Sequence, residues 1–230
     1  MSFLAPKLVI FDCDGVLVDS EPISIDVLIK VITAGGGEVS EAAAYKRFLG
    51  MSMPSVMEIL DAEYGFAMTE QHLSELRVEL RKRYALELKP IPGVADALQR
   101  LELKCCVASS GTPERIRLSL RTTGLLELLE PNIYSANMVE RGKPAPDLFL
   151  YAAQRMGVKP SACIVVEDSP AGVMAAKEAG MRVFAFAGGS HAEKAGLIAS
   201  LSVLGPHAVF TDMGLLPDLI RYVESQAKAG

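Results

Sequence analysis

Short, nearly continuous apolar runs recur at residues 7–11, 103–108, 162–166 and 182–187, and none shows the polar alternation of a strand with one wet face. They predict strands covered on both sides. Capped helical stretches stand between them. Thr112-Pro113 opens one that stops near Gly124, Pro146 starts another through Tyr151 and Met156, Ser169-Pro170 opens one ending at Gly180, and residues 213–227 form a terminal helix. Strands alternating with helices predict an α/β fold, a doubly wound parallel sheet. Residues 17–88 break the rhythm. Ile23, Val27, Ile29, Val31 and Ile32 lead to a stop at Gly35-Gly36-Gly37. Ser52 caps a helix with Pro54 in its first turn and Val56, Ile59 and Leu60 on its buried side, and Thr69 opens another carrying Leu73, Leu76, Leu80 and Tyr84. The expected organisation is a core of residues 1–16 and 89–230, interrupted after its first strand by an all-helical cap of residues 17–88.

Composition narrows the partners. The 230 residues are 50% hydrophobic with a mean hydropathy of +0.27, enough apolar material for a full core. A net charge of −5, a pI near 5.3 and the lack of any Lys/Arg run argue against nucleic acid or an anionic membrane as partner. Small phosphorylated metabolites stay open, since one local cation can override a mildly acidic surface, and no obligate protein partner is indicated. No apolar run approaches the ~18 residues of a spanning helix. Asp12 interrupts the N-terminal segment before a signal-peptide core could form, so a cytoplasmic location is expected. Cys13, Cys105, Cys106 and Cys163 have no C-x-x-C spacing and read as reduced core thiols.

Polar groups gather where the apolar runs end. The first run delivers Asp12-Cys13-Asp14-Gly15-Val16-Leu17-Val18-Asp19, and residues two apart on an extended segment share a face. One carboxylate can then attack while its neighbour handles protons, although Asp and Gly also make ordinary surface turns. Ser109 and Ser110 precede a helix start, where free N–H groups and the helix dipole favour a phosphate; alternatively they only cap and turn. Arg141-Gly142-Lys143-Pro144-Ala145-Pro146-Asp147 holds Lys143 on a proline-stiffened base, the plainer reading being a solvated lysine. Glu167-Asp168 ends the 162–166 run with carboxylate oxygens suited to Mg²⁺. Electrostatic support of the next helix is the alternative, but Ser169 already caps it.

In this order, an acid pair, a Ser, a Lys and a second acid pair resemble the four motifs of the haloacid dehalogenase superfamily across the whole chain. The insertion is similar to the small helical (C1-type) cap of the branch containing phosphoglycolate phosphatases, sugar-phosphate phosphatases and β-phosphoglucomutase. The resemblance implies a Mg²⁺-dependent phosphatase that works through an aspartyl phosphate. Asp12 would be the nucleophile and a metal ligand, and Asp14 the general acid and base with its main-chain carbonyl on the metal. Ser109, Ser110 and Lys143 would hold the phosphoryl group, Asp168 would ligate Mg²⁺ directly, and Glu167 directly or through water. Gly15 would permit the sharp turn and Asp19 stabilise it.

The stretch from Lys46 to Met53 aligns with this branch's specificity loop and is similar to that of 6-phosphogluconate phosphatases. Lys46 or Arg47 would meet a substrate carboxylate and Met51 and Met53 form an apolar rim, unless Arg47 is simply a solvated helix residue. Retained Asp14 sets the chain apart from dehalogenases. Ser24 and Met53 stand where β-phosphoglucomutase has a histidine and an arginine, so hydrolysis of a sugar or sugar-acid phosphate outranks isomerisation. A phospho-acceptor domain without turnover is a further alternative, opposed by the D-x-D on the first strand and by the cap.

Overall fold

The computed structural model describes residues 4–229. Strand β1 (Leu8–Phe11) leads into four helices, α1 (Glu21–Ala34), α2 (Glu41–Phe48), α3 (Met53–Tyr64) and α4 (Glu70–Glu87). The chain continues through α5 (Val94–Arg100), β2 (Lys104–Ser109), α6 (Pro113–Thr122), α7 (Leu126–Leu129), β3 (Ile133–Ser135), α8 (Asp147–Met156) and β4 (Cys163–Glu167). It ends with α9 (Pro170–Glu178), β5 (Arg182–Phe186), α10 (Leu197–Ser202), β6 (Ala208–Phe210) and α11 (Leu216–Ala229).

The strands form one parallel six-stranded sheet ordered β3-β2-β1-β4-β5-β6. In β1, Leu8 pairs with Lys104 on one side and Cys163 on the other. The strand order reverses around β1, so the carboxyl ends of β1, β2 and β4 border one crevice, the usual ligand position in such sheets. Successive side chains alternate between two apolar layers. Val9, Phe11, Val107, Ile164 and Val166 lie in one, and Leu8, Ile10, Cys106, Ala108 and Val165 in the other. Burial on both faces is why these strands lack a polar period. The first layer runs on into the inserted helices through Leu17, Ile32, Leu60 and Tyr84, while Phe149, Val173 and Leu197 cover the second.

Ser52, Thr69, Thr112 and Ser169 each accept the backbone N–H three residues on, as their sequence positions imply. Ser40 caps α2 in the same way, a helix the sequence reading did not place, because only Ala44, Tyr45 and Phe48 of its eight residues are buried. The sheet-edge strands β3 and β6 were missed for a related reason: three residues each are too few to show a period. The two ends of the α1–α4 insertion lie side by side, with Ile91 N–H donating to Leu17 O at 3.0 Å and Asp19 N–H to Lys89 O at 2.9 Å. All four cysteines are free thiols, three of them buried. No helix among the described residues is long and apolar enough to cross a membrane.

Candidate active site

Asp12 follows the last residue of β1 and is tied to the neighbouring strand by its N–H, which donates to Val166 O at 3.0 Å. The chain then turns sharply at Gly15, whose φ of +72° favours glycine; a Cβ there would also lie 1.8 Å from Asp168 Oδ2. Next to the turn, Ser20 Oγ donates to Asp14 Oδ1 at 2.8 Å. Arg115 grips the same carboxylate with two N–H groups, Nη1 to Oδ1 at 3.2 Å and Nη2 to Oδ2 at 2.7 Å. Asp14 in turn raises the pKa of the Arg115 guanidinium against the effect of burial.

At the end of β2, Ser109 is buried and its Oγ accepts the Gly111 N–H at 3.1 Å, whereas Ser110 is exposed. Thr112 caps α6, placing Arg115 in the first turn of that helix. Lys143 reaches in from the Pro-rich loop with its side chain only 5% exposed. Its Nζ lies 2.9 Å from Asp12 Oδ1, also donates to Glu167 Oε1, and sits 4.9 Å from the centre of the Phe149 ring. Burial opposes the ammonium charge, but Asp12 and Glu167 outweigh it and raise the Lys143 pKa.

Glu167 and Asp168 end β4 with different surroundings. Glu167 Oε2 accepts from the Ser169 N–H and the Ser169 Oγ, both at 2.9 Å, so both of its oxygens are engaged. Asp168 instead faces His191, with Nε2 3.4 Å from Oδ2. Carboxylate oxygens of Asp12, Glu167 and Asp168 come within 4.8 Å of one another. Burial pushes the carboxyls of Asp12 and Asp168 up, and neighbouring acids add to this while Lys143 works against it. Three acids facing one ammonium leave the cluster short of positive charge, and an all-oxygen donor set of this kind fits a hard divalent cation.

Three neighbours were not singled out from sequence. Arg115 could be placed in a first helical turn, but nothing local shows that its side chain doubles back to Asp14. His191 lies beyond the end of β5, after two glycines, and that loop position was its only signal. Glu21, at the start of α1, has its carboxyl pushed up to about 8, by burial first and then by Asp14 and Asp168. Of the tentative specificity residues, Lys46 is exposed, Arg47 pairs with Glu63 on the surface, Met51 is 45% exposed and Met53 begins α3 half-buried. Gly50 of the same loop touches the site directly, since a Cβ there would lie 2.9 Å from Ser169 Cβ. Asp19 accepts the Ser190 N–H at 3.2 Å and so ties the turn to the His191 loop.

Known proteins resemble this chain in sequence, and solved structures resemble it in fold. A 6-phosphogluconate phosphatase of Escherichia coli is 30% identical over 215 residues, covering 93% of this chain and 94% of that protein. A phosphorylated carbohydrates phosphatase of Thermotoga maritima is 32% identical over 183 residues, covering 76% and 82%. The crystal structure of a haloacid dehalogenase-like protein from Agrobacterium tumefaciens superposes with a TM-score of 0.84 at 36% identity, over 94% of this chain and 98% of that one. Residues 6–180, which include all four motifs, match the haloacid dehalogenase-like hydrolases, and the chain belongs to that family.

Proposed function

We propose that this phosphoric monoester hydrolase cleaves a small phosphorylated sugar or sugar acid, with 6-phosphogluconate the leading candidate, through an aspartyl phosphate on Asp12. The observation that carries the reading is the convergence of Asp12, Lys143 and Asp168 beside Asp14 and Ser109 at the ends of β1, β2 and β4. Asp12, Asp168 and the Asp14 main-chain carbonyl would hold Mg²⁺, with Glu167 contributing directly or through water. When bound, the cation would offset the repulsion between the Asp12 carboxylate and a phosphate dianion.

In the first half-reaction an Asp12 carboxylate oxygen bonds to phosphorus, the bond to the leaving oxygen breaks, and Asp14 gives that oxygen its proton. In the second, Asp14 takes a proton from water, the water oxygen bonds to phosphorus, and the bond to Asp12 breaks to release inorganic phosphate. Both carboxyl groups return to their starting states. Lys143 has three N–H donors and spends two on Asp12 and Glu167, which leaves one for a phosphoryl oxygen. Ser109, with Ser110 beside it, would complete that cradle. Helices α1–α4 would act as the cap over residues 17–88, excluding water when Gly50 lies against Ser169.

The leaving-group side of the site supports a sugar acid. Arg115 commits two of its five N–H donors to Asp14, so the rest can meet a carboxylate or hydroxyls near the departing oxygen. Arg47, already paired with Glu63, would have to give up that partner to do the same. A cytoplasmic enzyme would meet such substrates, and the E. coli relative is named for one.

A screen of phosphorylated metabolites for free phosphate, with Mg²⁺ and with EDTA, tests the reading. Release that needs Mg²⁺ and vanishes in Asp12→Asn is expected, with sugar and sugar-acid phosphates the best substrates. Full activity in EDTA, sugar-phosphate products without free phosphate, or a stable phosphoprotein without turnover would overturn it. Arg115→Ala should raise KM for 6-phosphogluconate far more than for p-nitrophenyl phosphate, which has no carboxylate to lose.

A further inference from the structure

His191 is the one residue, among those described, with buried side-chain polar atoms that have no hydrogen-bond partner: both Nδ1 and Nε2 are unpaired. A buried, unpaired ring nitrogen in a folded protein calls for a physical cause. The seat of this ring is closely fitted. A Cβ on Gly189 would lie 2.5 Å from His191 Cε1, and one on Gly15 would lie 3.2 Å from the same atom. The loop that carries it is held at several points. Ala192 N–H donates to Gly189 O and Ala195 N–H to His191 O, both at 3.0 Å. Ser190 N–H donates to Asp19, and Lys194 Nζ reaches Glu41 of α2 at 2.6 Å.

The ring faces a carboxylate to which no other side chain among the described residues donates a hydrogen bond. Glu167 has Lys143 on one oxygen and Ser169 on the other. Asp168, its neighbour, has Nε2 of His191 3.4 Å from Oδ2 without hydrogen-bond geometry. A small ring rotation would close that gap to the usual 2.7–3.2 Å of an N–H···O bond, roughly half an ångström of travel.

We propose that His191 is a positioning residue of the metal site, donating from Nε2 to Asp168 Oδ2 and so fixing the carboxylate that is offered to the cation. The inference rests on Asp168 being a Mg²⁺ ligand. Carboxylates that bind metals are themselves held by hydrogen bonds, and losing such a partner costs about 10- to 100-fold in metal affinity. His191 does not touch the substrate; it acts through Asp168.

Mg²⁺ titration calorimetry on the full chain, without phosphate or substrate, reads this directly. His191→Phe fills the ring volume but cannot donate, so its Kd for Mg²⁺ should rise by about 10-fold or more while its melting temperature in EDTA is kept. His191→Gln restores an N–H and should recover most of the affinity. A His191→Phe protein that folds and binds Mg²⁺ within about twofold of wild type would overturn the role.

A second measurement needs no variant. The chain has three histidines, so ¹⁵N-labelled wild-type protein should show the His191 proton on Nε2 and a shift of its ring nitrogens as Mg²⁺ is added. A proton on Nδ1 instead, or no shift through saturation, would also overturn it, even if His191→Phe did not fold. Wild-type protein that bound no Mg²⁺ at all would remove the metal site together with this role. Normal wild-type binding with an indifferent His191→Phe would remove the role alone.

Discussion

Replacing Lys143 with Met removes the one ammonium in the buried acid cluster while keeping most of the stem that packs near Phe149. The Lys143 side chain is 5% exposed, against 12% for Asp12 and 0% for Glu167, so solvent cannot take over its work. Breaking a buried ion pair by deleting one partner costs about 3–5 kcal/mol, because the remaining charge is left uncompensated. For a chain of this size that corresponds to about 6–20 °C in Tm. The measurement is thermal or urea unfolding in EDTA at pH 8 and again at pH 5.5. Without the lysine, the Asp12 carboxyl, already pushed up by burial, should be raised further. The folded variant then holds a proton that the unfolded chain has released, so the variant regains stability as pH falls and its deficit shrinks toward pH 5.5. Saturating Mg²⁺ should also narrow the gap by supplying compensating charge. Turnover should drop by about 10²–10³-fold with the loss of one phosphoryl donor. A Lys143→Met protein that melts in EDTA at pH 8 within about 2 °C of wild type would refute the reasoning, since the buried acids would not then depend on this ammonium.

Gly172→Ala should gain up to about 1 kcal/mol of helix propensity in α9 yet lose activity, because the new Cβ would lie 1.9 Å from Glu167 Cδ and displace the side chain that holds Lys143. Retained kcat in that variant would show that Glu167 need not stand where it does. Glu21→Gln should flatten the pH dependence of stability in EDTA. With its carboxyl at about 8 when folded and near 4.5 when unfolded, wild type loses stability as pH rises through that window, at up to about 1.4 kcal/mol per pH unit. Parallel urea-midpoint curves for the two proteins between pH 5 and 8 would count against it. Lys194→Ala removes a pair whose partners are both 59% exposed, so unfolding should shift by under about 1 kcal/mol and the difference should vanish in high salt.

Residues close to a strand end were legible because their signal is local. The runs before Asp12, Ser109 and Glu167 announce buried parallel strands, and the residue that follows each is carried to the same edge of the sheet whatever the rest of the chain does. The helix caps at Ser52, Thr69, Thr112 and Ser169 were legible for the same reason, each being a bond across three residues. Short elements were not. Strands β3 and β6, at three residues each, and α2, with few buried positions, take their form from the neighbours they pack on.

The sequence by itself determined the parallel α/β core, the helical insertion after its first strand, the ordered acids and serine at the strand ends and the lysine in its proline-stiffened loop, because apolar period, capping and turn chemistry act within a few residues. Tertiary structure alone decided who touches whom. Arg115 meets Asp14 across 101 positions and Lys143 meets Asp12 across 131, contacts set by the order of β2, β1 and β4 and by the direction in which a helix or loop leaves its strand. Arg47 is claimed by Glu63, 16 residues away on a neighbouring helix, and His191 is brought to Asp168 by a loop beyond β5. Such pairings depend on distances that close only when the sheet is assembled, and no local pattern in the chain encodes them.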